Sequence, residues 1–278
     1  MHQFNLKLKV AILISVLLLA SPGYTQSSSV TQIKTDSTDH DKNLGILASI
    51  EYSQKIAVDE KSERESGTSL LLVPSYKLSS VATISAKAIL NKDNYGPRNT
   101  TLSNTTMSLS IKGFKLSDKL MTTHALLGVL PTDEQARKED RLRGAIGISN
   151  GLKLDTQWAQ LDYKLQLKRN FHEYTVNFEG KPNIEYTLAN LLEVTIPLTD
   201  KFSFISAGIY KNGRTYKGFE RTSFELNFDI NYDFTPQLSL NLGTSNDGNA
   251  LKANGVDSNI SAYNEDTSVN RLGLSYNY

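Results

Sequence analysis

The chain of 278 residues has no cysteine, one tryptophan, four histidines and seven prolines. Without cysteine there is no disulfide, no thiolate metal site, no thiol catalysis and no lipidated cysteine at a processing site. The one long apolar run, Val10 to Ala20 and broken only by Ser15, is shorter than the roughly 20 residues a helix needs to cross a bilayer. A helical membrane protein is thereby excluded. No glycine-rich phosphate loop, paired-histidine metal spacing or calcium loop occurs, so no cofactor and no metal are expected. Neither charge sign dominates, with 30 basic and 29 acidic residues, and loss of Lys7 and Lys9 with a leader would leave 28 against 29, a formal −1. Nothing there favours a nucleic-acid partner.

What the chain has instead is alternation. From Phe224 to Phe234, F-E-L-N-F-D-I-N-Y-D-F, every odd-numbered position is polar or acidic and every even-numbered one apolar. That is the period of a strand with one apolar and one polar face. The same pattern predicts strands at Asn43–Ser53, Ser69–Lys77, Ala82–Leu90 and Met107–Ile111, with a bulge at Pro74 because proline cannot donate to a ladder. Further strands are expected from Met121 to Val129 with the odd-numbered residues outward, around Leu142–Ile148, over Gln160–Lys168, over Tyr186–Ile196 and at Leu238–Leu242. Phe202–Tyr210 is apolar on both faces, which leaves its orientation open, and Ser149-Asn150-Gly151 reads as a turn. With the final stretch there are about twelve strands, ten or fourteen remaining compatible, with short links after the even-numbered ones and longer links after the odd-numbered ones.

The final stretch, Arg271 to Tyr278, reads R-L-G-L-S-Y-N-Y, with Leu272, Leu274, Tyr276 and Tyr278 on one face. Its polar residue, glycine two positions on and aromatics at the third-last and last positions resemble the C-terminal insertion signal of bacterial outer-membrane β-barrels. The resemblance implies an all-β fold, a closed antiparallel transmembrane barrel in the cell outer membrane, bathed in lipid and lipopolysaccharide. It also implies that the barrel assembly machinery reads Arg271, Gly273, Tyr276 and Tyr278. A secreted β-sandwich also presents one apolar and one polar face. Loop rhythm, terminal signature and strand-end aromatics such as Tyr52, Tyr232 and Phe234, which suit an interfacial girdle, favour the barrel.

The beginning of the chain agrees with that location. Lys7 and Lys9, the short apolar run and the small residues after it form a secretory signal, placed at residues 1–25. Residues 26–42 are polar and aperiodic and read as a flexible periplasmic lead-in, with a plug in the lumen as the alternative. The barrel is expected to occupy 43–278.

If apolar faces meet lipid, the opposite faces line the interior. Lys77, Lys87 and Lys112 would project inward from strands two to four, His124 from strand five, and Asp162 and Lys164 from strand seven. Glu185 and Glu193 would do so from strand eight, and Glu225, Asp229 and Asp233 from strand ten. Basic and acidic walls facing each other would impose a transverse field on small hydrophilic solutes diffusing through. The alternative is that these charges pair and fill a narrow interior. An outer-membrane enzyme would need a histidine beside a serine or an acid, and His40, His124 and His172 sit in no recognisable motif. A structural or surface-interaction barrel is the remaining class, its charged loop Asp133 to Arg143 suited to lipid headgroups or a partner.

Overall fold

In the computed structural model, residues 43–57, 64–96, 98–252 and 254–278 are described; the expected signal segment and lead-in lie outside them. Thirteen strands follow in order: β1 (Leu44–Lys55), β2 (Ser66–Lys77), β3 (Ala82–Asp93), β4 (Thr100–Leu102), β5 (Thr105–Ile111), β6 (Leu120–Leu130) and β7 (Leu142–Asp155). After these come β8 (Gln160–His172), β9 (Ile184–Pro197), β10 (Phe202–Thr215), β11 (Glu220–Asp233), β12 (Leu238–Asn249) and β13 (Val269–Asn277). A single-turn helix, α1 (Glu134–Lys138), lies in the β6–β7 loop, capped by Asp133, whose side chain accepts from the Ala136 N–H at 2.7 Å.

β4 and β5 both pair with β3 and together form one stave, so the sheet has twelve. Every stave is antiparallel to its neighbours, and β1 pairs with β13 from Leu47↔Asn277 to Lys55↔Val269, which closes the sheet on itself. Closure removes the edges that a sandwich would keep. The main chain of Tyr278 completes the seam by exchanging hydrogen bonds with Ile46 at 3.1 and 2.9 Å.

Register fixes the faces, because residues opposite each other across a pair share a side. Ile50 lies opposite Leu274 and Leu70, Phe228 opposite Ser206, and Leu242 opposite Ile230 and Leu272. The outer wall carries large exposed apolar side chains on stave after stave, among them Ile50, Leu72, Ile146, Leu167 and Leu242. So much exposed apolar surface suits hydrocarbon and not water. Phe202, Tyr232 and Phe234 cluster at one end, with ring centroids 4.6 and 5.0 Å apart, as an interfacial girdle would.

Three local expectations are corrected. At Pro74 no residue is inserted: Leu72↔Ala88 and Ser75↔Ser85 keep one register, and the β3 ladder simply lapses over Val73 and Pro74. The strand-five orientation is reversed, since Ile111↔His124 and Leu109↔Leu126 put the even-numbered residues of β6 outward and leave Ala125 and Leu127 inside. Ser149-Asn150-Gly151 is no turn; β7 runs through it to Asp155, held by Asn150↔Leu165 and Gly151↔Lys164. The ladder overrides local turn propensity there, and the turn falls at Thr156–Ala159 instead.

Candidate functional site in the barrel interior

The inner face is charged because the polar half of each alternating strand has nowhere else to go. Register turns Lys77, Lys87, Asp162, Lys164, Glu193, Glu225, Asp229 and Asp233 inward, together with Arg271 and Gly273. Tyr276 faces outward opposite Ala48, and the main chain of Tyr278 lies on the seam. Lys77, Lys112, Asp162, Lys164, Glu193 and Asp233 line one cavity of about 1330 Å³ at the end where β2, β7, β9 and β11 finish. Within it Lys164 Nζ is 2.9 Å from Asp162 Oδ2. Glycines on β7 make room for the lysine stems: a Cβ on Gly151 would lie 2.9 Å from Lys164 Cγ, and one on Gly147 3.3 Å from Lys168 Cβ.

The cavity lining includes Asn231 and Asn241 but neither Asp229 nor Arg271. Arg271 is only 5% exposed, its Nη2 2.8 Å from Asp229 Oδ1 and its Nη1 3.7 Å from Glu51 Oε2. One cation thus joins β1, β13 and β11. Farther along β11, buried Glu225 accepts from Asn227 Nδ2 at 2.9 Å, while its Oε2 has no partner among the described residues. Lys87 and Lys211 lie within electrostatic reach of Glu225, and Lys211 also of Asp247.

Two residues expected inside lie elsewhere. His124 points to the outer wall, where it bonds Asn150 Oδ1 at 2.8 Å and Thr122 Oγ1 at 2.9 Å, because β6 has the opposite register from that expected. Glu185 sits where the β9–β10 register shifts by one residue, and it accepts from Arg169 Nη2 at 3.0 Å on the outer rim. Arg169 also lies 5.4 Å from the Tyr186 ring centroid. The structure adds Glu51, Lys168, Lys211, Asp247 and Arg271 to the inner charges. Lys211 lies one residue past the expected strand Phe202–Tyr210, yet the odd-numbered alternation from Ile205 through Ala207 and Ile209 carries it inward.

At the opposite end from the cavity the loops are knit together. Asn183 Nδ2 donates to the Asp140 and Tyr174 carbonyls at 2.9 and 3.0 Å, and Tyr216 Oη donates to the Asn170 carbonyl at 2.9 Å. Burial raises the Asp140 carboxyl above its ordinary range, offset in part by its hydrogen bond with Asn177. His172 stands edge-on to Tyr216 at 5.8 Å, and His40 lies outside the described residues. Among the described residues no three histidines or carboxylates converge to hold a metal.

A closed twelve-stave sheet, apolar outside and charged within, defines the porin-type outer-membrane β-barrel class of fold. Among solved structures the chain is similar to the NanC porin, with TM-score 0.54 and 14% identity over 83% of this chain and 98% of that one. It is also similar to an outer-membrane channel from Pseudomonas putida F1, with TM-score 0.55 and 10% identity over 89% of this chain and all of the other. At such identities the likeness is one of fold. No protein-family model and no curated protein matches the sequence.

Proposed function

We propose that the chain is an outer-membrane channel through which small hydrophilic solutes diffuse passively along a mixed-charge lumen. The observation that carries this is a wide charged cavity, about 1330 Å³, opening at one end of a barrel whose outer wall is apolar. A twelve-strand barrel lies between eight strands, which side chains fill, and sixteen, which leave an aqueous channel. The layer of Arg271, Asp229, Glu225, Lys87 and Lys211 then acts as the constriction, and selectivity resides in its charges and not in any catalytic residue. Lipid and lipopolysaccharide surround the outer wall, and the barrel assembly machinery engages β13 through Arg271, Gly273, Tyr276 and Tyr278.

Osmotic swelling of liposomes carrying the refolded protein tests the reading. Swelling rates that fall with solute size among neutral sugars and amino acids are expected. Liposomes that stay tight to every solute, with the protein proven folded, would overturn it.

A further inference from the structure

One stretch of the inner wall carries both charge signs side by side. Lys168 of β8 and Lys211 of β10 face the lumen half-buried, and the charge of Lys211 bears on Lys168. Between them β9 offers only Thr187, opposite Lys168, and Ala189, opposite Lys211, so no long side chain separates the two stems. On the next two staves Glu225 of β11 and Asp247 of β12 are direct register partners, two carboxylates on one face. Glu225 is 2% exposed and Asn227 3%, and Glu225 Oε2 and Asn227 Oδ1 have no hydrogen-bond partner among the described residues. Lys211 lies within electrostatic reach of both carboxylates, yet among the described residues none of these four charges forms an ion pair.

Like charges opposite each other are destabilising, and a buried acceptor without a donor adds its own cost. The carboxylate pair calls for a cation that donates hydrogen bonds, and the lysine pair for an anion that accepts them. One molecule bearing both groups relieves both pairs. We propose that this wall is a binding site for compact zwitterions of the α-amino acid class, with the ammonium group against Asp247 and Glu225 and the carboxylate between Lys168 and Lys211. Half-buried Asp247 is the carboxylate open to a solute, and Glu225 and Asn227 border it with idle acceptors. Because β10 and β11 are neighbouring staves, about 4.8 Å apart, the basic and acidic halves abut. That suits a solute whose two charged groups share one carbon. A metal ion would answer only the acidic half, and among the described residues no third carboxylate or histidine joins it there.

The inference rests on the channel reading, and the test separates the two. Liposomes carrying the refolded protein are given radiolabelled L-glutamine and radiolabelled glucose in parallel. No entry of glucose, the neutral control, from protein proven folded would contradict the channel and the inference with it. With glucose entering, glutamine uptake is expected to saturate and to be competed by unlabelled glutamine. N-acetylglutamine, which lacks the ammonium, and glutamine methyl ester, which lacks the carboxylate, should compete about tenfold more weakly, the scale of one charged hydrogen bond. Asp247→Asn and Lys168→Met should each lower the ratio of glutamine to glucose entry by a similar factor, and Asp247→Glu and Lys168→Arg should retain it. Glutamine entry that rises linearly with concentration, competition by either derivative as strong as by glutamine, competition by calcium ions of that strength, or an unchanged ratio in Asp247→Asn and Lys168→Met would overturn the inference while leaving the channel standing.

Discussion

Arg271 of β13 and Asp229 of β11 meet across an intervening strand, with Arg271 Nη2 2.8 Å from one carboxylate oxygen and 3.0 Å from the other. Gly243 of β12 is the residue opposite both, and a Cβ there would fall 1.9 Å from Asp229 Oδ1. The pair exists because the strand between them carries no side chain at that point. A terminal strand is thereby tied to the body of the barrel from inside as well as through its ladder.

Removing the anion should therefore leave a buried guanidinium poorly matched. Asp229→Asn is expected to lower stability by about 3 kcal/mol, the scale for breaking one side of a buried pair, and Gly243→Ala to act in the same direction while leaving every charge in place. Unfolding in urea from lipid vesicles, followed by heat-modifiable mobility, measures both. Wild-type stability in Gly243→Ala would mean that the pair is not held in this geometry.

Selectivity should follow the charges that face the lumen outside an ion pair among the described residues, such as Glu225, whose one hydrogen-bond partner is the neutral Asn227 amide. Glu225→Gln is expected to shift ion preference toward anions, and Lys87→Glu toward cations, because both belong to the proposed constriction. Reversal potentials in a salt gradient report the shift. Asp229 is a poorer probe, since its charge is already matched by Arg271. Reversal potentials that do not move in either variant would place the selective layer elsewhere.

The β7 glycines make a prediction of their own. A Cβ at Gly151 would lie 2.5 Å from the Tyr163 carbonyl oxygen and 2.6 Å from Thr123 Oγ1. Gly151→Val should cost about 1–3 kcal/mol, as overpacking does, and should push Lys164 off the wall and reduce conductance. Full conductance and stability would contradict the packing described.

The loop carboxyl of Asp140 sets a pH dependence. Its folded pKa is raised by burial, so its contribution to loop stability is present below the unfolded pKa and is lost as pH rises through the raised folded value. Hydrogen exchange over residues 131–141 should slow as pH falls from neutral into the carboxylate range, after correction for intrinsic rates. In Asp140→Asn that dependence should disappear.

Much of this was legible in the chain. Strict alternation on β8 and β11 matches the faces that the register shows there, and the count of alternating segments gave twelve staves, one of them split where Ser103 and Asn104 interrupt the pairing with β3. Legibility failed where the interior itself is apolar. Leu71, Ile89 and Ile205 face inward and are buried, so an apolar residue does not identify the lipid side. On β6, with Leu126 and Leu130 on one face and Leu127 and Val129 on the other, only the pairing with β5 decides. Glycines on β7 blurred its pattern for a physical reason: they make room for side chains arriving from β8. Arg271 stood out as part of a terminal signature, but its pairing with a residue 42 positions earlier has no sequence signal.

The most direct test of a solute channel is single-channel recording of the refolded protein in a planar bilayer, with folding shown by unheated gel mobility and β circular dichroism. Discrete, steady conductance steps that grow with salt and shift selectivity in Glu225→Gln are the expected result. A silent bilayer from demonstrably folded protein would contradict the account, and would mean that the Arg271 layer seals the barrel instead of narrowing it.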